Sequence, residues 1–181
     1  MEGEWLKLSS PEDILDNLSK LDAQLLEPAT IVLAGSAVPI LAGCVFRATA
    51  DIDFAIIPDR IVLRTVQADA QLSSIFDFKA AGVIGLLVDF DDRVVRVNGG
   101  FAKLQAYRLS LEDWVVSKLA SPKLVDVLNI KEVTLDVLKW VQQMMPLYGG
   151  ISDIQAASDL NWLMAQKESS GDAAVPRIKL F

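Results

Sequence analysis

TIVLAGSAVPILAGCVFRATADIDFAII, residues 30–57 of a 181-residue chain, is the stretch on which the reading of this sequence turns. A short apolar run, residues 31–34, ends in Gly35-Ser36, and a second run, residues 51–57, carries Asp51 and Asp53 inside it. The first reads as a buried strand breaking into a strand-to-helix turn, the second as another strand closed by Pro58-Asp59. Aspartate is disfavoured in strands. Successive side chains there alternate faces, so Asp51 and Asp53 point the same way from a largely hydrophobic segment. Two carboxylates that close repel each other. A divalent cation between them relieves the repulsion, and hard cations bind carboxylate oxygens. The pair is a candidate metal site.

Working outward, Ser10-Pro11-Glu12-Asp13 is a helix start, with a capping serine, proline at the first helical position and acids in the first turn. Ile14, Leu15, Leu18, Leu21, Leu25 and Leu26 recur at helical spacing until Glu27-Pro28. After the turn, a helix of small residues is expected as far as Gly43. The pattern predicts a helix over 60–72 and a third apolar strand over 83–90 (VIGLLVDF) carrying Asp89. Residues 94–97 and 101–109 flank Asn98-Gly99-Gly100, a hairpin signal. The character then changes. Ser110-Leu111-Glu112-Asp113 resembles a capping box opening a helix that lasts to Pro122. Further helical stretches follow around 125–128, from Thr134 to before Pro146, and over 151–167. The outline is an α/β core over 1–109, a helical C-terminal part over 110–167 packed on it, and a loose tail over 168–181.

Composition narrows the chemistry. The chain contains no histidine, which excludes Ser-His-Asp and Cys-His catalysis, histidine-ligated zinc and a histidine general base. A net charge of −7 argues against broad non-specific binding to nucleic acid, which relies on many Lys and Arg contacts to phosphate. One cysteine, Cys44, permits no intrachain disulfide, as fits a reducing cytoplasm. No apolar run approaches the roughly 20 residues of a membrane span, and the opening MEGEWLKL lacks a secretory apolar region. The expectation is a soluble cytoplasmic protein.

Gly35-Ser36 alone could be an ordinary turn, and it fits neither the P-loop, the dinucleotide-binding glycine pattern nor a nucleophile elbow. Asp51-Ile52-Asp53 is not a calcium-binding EF-hand loop, because Ala55 stands where a ligand belongs. Lys118 by itself reads as a solvated lysine on an amphipathic helix. Taken together, Gly35-Ser36 followed by Arg47-x-Thr49-x-Asp51-Ile52-Asp53 resembles the minimal nucleotidyltransferases of the DNA polymerase beta superfamily. The likeness is to the RxTxDID-bearing branch that includes toxins of type IV toxin–antitoxin and abortive-infection systems, and it covers about residues 30–130.

The resemblance implies an α+β fold, a small mixed sheet flanked by helices with a helical C-terminal part. It implies a nucleotidyltransferase that moves a nucleoside monophosphate from an NTP to a hydroxyl acceptor on RNA, protein or a small molecule. Asp51 and Asp53 would hold one or two Mg²⁺ ions, with a third carboxylate from a neighbouring strand. Asp89 is the expected third, and Asp91 the second choice. Gly35, Ser36, Arg47 and Thr49 would line the nucleotide side. Ser117-Lys118-Leu119, after Leu111-Glu112-Asp113, would bring Lys118 to phosphate. An antitoxin protein would be the partner. Relatives carry Lys-Asp and a further Asp three positions on, where this chain has Val125-Asp126 and Asn129. That departure leaves a second reading open, a catalytically inactive nucleotide-binding or partner-binding module of the same fold.

Overall fold

In the computed structural model, residues 7–79, 81, 84–119, 121, 123–145 and 153–170 are described. They fall into two compact units, one from residues within 1–84 and 91–110, the other from residues within 85–90 and 111–181.

The first unit begins at Leu8 and the capping box. The Ser10 hydroxyl accepts from the Asp13 amide, and the Asp13 carboxylate accepts from the amides of Ser9 and Ser10. Helix α1 (Pro11–Gln24) follows and buries Ile14, Leu18 and Leu21 on one face. Strand β1 (Ala29–Leu33) is buried except at Thr30. It pairs in parallel with β5 (Leu104–Arg108), from Ala29 opposite Leu104 to Leu33 opposite Arg108. Strand β4 (Val95–Arg96) pairs antiparallel with β5, which confirms the hairpin around Gly99-Gly100. At its other edge β1 meets the second apolar run, which carries Asp51 and Asp53. Leu33 and Phe54 form an antiparallel bridge, Ala34 donates to the Asp53 carbonyl at 2.9 Å, and Ala55 donates to the Val32 carbonyl at 2.8 Å. Strand β2 (Ile52–Asp53) then pairs in parallel with β3 (Phe76–Asp77). The strands form a three-stranded sheet in the order β1–β5–β4 and a two-stranded sheet of β2 and β3, linked by the Leu33–Phe54 bridge into a small mixed array with helices around it.

Several elements differ from the sequence expectation. The strand expected over 51–57 pairs only at residues 52–55, because Ile56 and Ile57 turn out toward solvent before Pro58. The helix expected over 60–72 is two, α3 (Arg60–Ala68) and α4 (Ala70–Ile75). Asp69 lies between them in extended conformation, and its carboxylate accepts from the Gln71 and Leu72 amides at 2.8 and 3.0 Å. Aspartate competes with the helix ladder in this way, and here the local bonds win.

The strand expected over 83–90 is a correction. Residues 84–89 form bends and turns leading into a 3₁₀ segment, Phe90–Arg93, and Asp89 adopts a left-handed φ of +58°. Val88 is more than half exposed, so the run does not pack as a buried strand. Residues 82 and 83 lie outside the described residues. Strand β3, which the sequence reading did not anticipate, occupies the place beside β2.

The second unit contains α5 (Leu111–Lys118), a 3₁₀ segment at Leu124–Asn129, α6 (Leu135–Met144) and α7 (Asp153–Ser170). The Thr134 hydroxyl caps α6 by accepting from the Val137 amide. Helix α7 buries Ala156, Leu160 and Leu163 and runs three residues beyond Lys167, into what the sequence suggested was tail. Residues 171–181 lie outside the described residues. No helix among the described residues is long and apolar enough to cross a membrane.

Candidate active site

The alternation expected of strands builds the site. Ile52, Phe54 and Phe76 are buried in the core of the first unit, and Phe78 packs against it. Phe54 stacks on Phe78 with ring centroids 4.9 Å apart and meets Phe76 at 5.8 Å. Two-residue strands have too few ladder bonds to hold themselves. The three rings, worth about 0.5–1.5 kcal/mol per pair beyond buried area, clamp β2 to β3. With the apolar side chains inward, the intervening carboxylates face the other way. Asp53 lies directly opposite Asp77 in the parallel register.

Asp51, Asp53 and Asp77 are all half-buried, and each offers a carboxylate oxygen within 4.8 Å of the others. Opposed ligands of a Mg²⁺ ion stand about 4.2 Å apart and those of a Ca²⁺ ion about 5 Å. The donor set is all oxygen and all anionic, which suits a hard divalent cation and not a soft one. The residues present therefore fit such an ion.

Two supports hold this triad. The Thr49 hydroxyl donates to Asp51 Oδ1 at 3.0 Å, and Thr49 is itself pinned by a reciprocal backbone pair with Leu8, at 2.7 and 2.9 Å. Gly35 supports Asp53 by what it lacks. Its φ is +60°, and a Cβ built there would stand 1.8 Å from Asp53 Oδ2. Only glycine admits both the turn and the carboxylate. The backbone of the Gly35-Ser36 turn is thus in contact range of the Asp53 carboxylate.

Ser36 is buried and opens the five-residue helix α2 (Ala37–Leu41), but its hydroxyl makes no capping bond. Arg47 is exposed, with its guanidinium 5.8 Å over the Phe46 ring.

Asp89 and Lys118 belong to the second unit, so the structure does not group them with Asp51 and Asp53 within one compact body. Lys118 is buried, not a solvated surface lysine, and its ammonium sits 5.6 Å from the Trp114 ring centroid. Asp91 lies in the first unit but outside the acidic cluster. The carboxylate that the structure brings beside Asp51 and Asp53 is that of Asp77, which sequence reasoning did not single out. The available signal was Phe76-Asp77-Phe78, an acid between two aromatics at strand alternation, the same local contradiction that marks Asp51 and Asp53.

A carboxylate cluster at β2 and β3 beside a glycine turn is the kind of arrangement that the resemblance to nucleotidyltransferases implied. The model of a family described as "Nucleotidyltransferase of unknown function (DUF6036)" matches residues 12–162, most of the chain and all three carboxylates. The chain belongs to that family. Comparison with curated proteins and with solved structures finds no match.

Proposed function

We propose that this protein is a divalent-metal-dependent nucleotidyltransferase that moves a nucleoside monophosphate from an NTP to a hydroxyl acceptor. The observation that carries the reading is the convergence of Asp51, Asp53 and Asp77 within 4.8 Å in a chain of a nucleotidyltransferase family. A divalent cation such as Mg²⁺, held by these three residues, would supply charge neutralisation to the triphosphate and to the departing pyrophosphate.

The chain's own residues do the rest. Gly35 gives Asp53 its position, and the Gly35-Ser36 turn would present backbone amides to phosphate. Thr49 holds Asp51 in orientation. A carboxylate of the triad accepts the proton of the acceptor hydroxyl, the role that Asp77 takes here in place of Asp89. The acceptor oxygen then bonds to the α-phosphorus, the bond from that phosphorus to the bridging oxygen breaks, and pyrophosphate leaves with the electron pair.

The test is Mg²⁺-dependent release of pyrophosphate, and incorporation of labelled nucleotide into candidate RNA, protein and small-molecule acceptors. Transfer should disappear in Asp51→Ala/Asp53→Ala with the fold preserved. Transfer retained by that folded double variant, with any NTP, overturns the reading. The toxin assignment rests on the Arg47 to Asp53 pattern and adds a cellular outcome: growth arrest on expression that requires Asp53 and is relieved by an antitoxin partner. A second reading is favoured by Val125 and Asn129, which stand where the sequence resemblance implies charged residues. It predicts nucleotide-dependent thermal stabilisation without pyrophosphate release.

A further inference from the structure

Asp77 is engaged at both oxygens by a single residue. The Lys79 amide donates to Asp77 Oδ1 at 2.8 Å, and the Lys79 ammonium stands 3.9 Å from Asp77 Oδ2. The two ends of the pair differ sharply in environment, since the Lys79 side chain is 92% exposed and that of Asp77 only 25%. The amide bond fixes the carboxylate from the backbone. The ammonium is a positive charge at the rim of a site built of three negative ones.

We propose that Lys79 is a counter-cation of Asp77 at the rim of the triad and changes partner when the site loads, passing from Asp77 to the phosphate groups of the substrate. The inference rests on the reading of Asp51, Asp53 and Asp77 as a metal site. An ion pair this exposed is weakly held, so leaving it costs little. Its charge is still felt by an incoming dication. Two unit charges about 4 Å apart in water interact by an amount worth roughly fivefold in an equilibrium constant. A lysine is suited to the exchange, being a flexible point charge that contacts phosphate without a fixed fork geometry. The ammonium therefore opposes metal binding in the empty site and favours a polyphosphate once metal is bound. These two effects on affinity have opposite sign.

That sign reversal is the test. Mn²⁺ alone is titrated calorimetrically into the full-length protein, then a non-hydrolysable nucleoside triphosphate is titrated in the presence of saturating Mn²⁺. Lys79→Met should bind Mn²⁺ about three- to tenfold more tightly than the parent at low salt. The gain should shrink at 0.5 M salt, where exposed charges are screened. The same variant should bind the triphosphate about fivefold more weakly, and Lys79→Arg should behave as the parent in both titrations. Equal or weaker Mn²⁺ binding by Lys79→Met, or unchanged triphosphate affinity, overturns the role of Lys79 while leaving the metal site standing. Failure of the parent protein to bind Mn²⁺ at all removes the metal reading itself and this inference with it. Because the side chain is almost fully exposed, the variants should unfold at the parent's temperature.

Discussion

Gly35→Ala should separate the two functions of that position. A Cβ there would stand 1.8 Å from Asp53 Oδ2 and 2.8 Å from Asp53 Cγ, while real Cβ contacts stop at about 3.0 Å. The carboxylate must retreat by more than an ångström, and with Asp53 Cβ already at the 3.0 Å limit it does so by rotating out of the triad. The left-handed φ of +60° adds about 1–2 kcal/mol of backbone strain for an L-alanine, and relieving the overlap about 1–3 kcal/mol more. Displacing one of three oxygen ligands should weaken Mn²⁺ binding about 10- to 100-fold, or about 1.4–2.7 kcal/mol.

Gly43→Ala is the matched control, since Gly43 has φ +77° and a Cβ there meets nothing within 4 Å. It should lose about 1–2 kcal/mol of stability and keep its metal affinity. Thermal unfolding and Mn²⁺ calorimetry on both variants read the two effects separately. A double-mutant cycle sharpens the result: in an Asp53→Ala background, Gly35→Ala should cost about 1–2 kcal/mol less. Unchanged Mn²⁺ affinity in Gly35→Ala, equal metal loss in Gly43→Ala, or an additive cycle would refute the argument.

The choice of third ligand is tested by Asp77→Asn and Asp89→Asn: the first should weaken Mn²⁺ binding about tenfold or more, and the second should leave it within twofold. Asp22 gives a pH signature. It accepts backbone N–H bonds from Ala102, Lys103 and Leu104 at 3.0, 2.7 and 2.7 Å. Desolvation pushes its pKa up, but these three bonds and the nearby Lys103 charge together outweigh that and hold the carboxyl below its ordinary value. A carboxyl lowered in the native state contributes stability that is complete above its unfolded pKa and fades as pH falls through the native one. Asp22→Asn should therefore cost about 2 kcal/mol at pH 7. In chemical denaturation the gap to the parent should begin closing near pH 4 and vanish in stronger acid.

The parts of the molecule legible in sequence are those where a residue contradicts its surroundings. Asp51 and Asp53 are acids in an apolar strand, and Gly35-Ser36 interrupts another, so local chemistry alone marked them. The capping serine of α1 and the hairpin around Gly99-Gly100 were legible for the same reason, because each needs only its neighbours. Asp77 was missed because its alternation is confined to Phe76-Asp77-Phe78, with no longer apolar run around it to mark a strand. The run at 83–90 misled because apolar continuity does not separate a buried strand from a turn-rich segment. The break at Asp69 is a contest between two local bonding patterns that propensity alone does not decide. Asp22 was invisible because its partners lie about 80 positions away.

The parallel pairing of β2 with β3 also has a consequence for how the chain acquires its site. Parallel strands cannot be joined by a tight turn, and here the crossover consists of α3 and α4. A nascent chain that has emerged only as far as α3 holds Asp51 and Asp53 but not yet Asp77. Pairing of such sequence-distant segments is among the slower events of folding. Acquisition of tight Mn²⁺ binding in a refolding or ribosome-release experiment would therefore time the docking of that crossover, so the acids proposed to hold the metal would also report when the fold is complete.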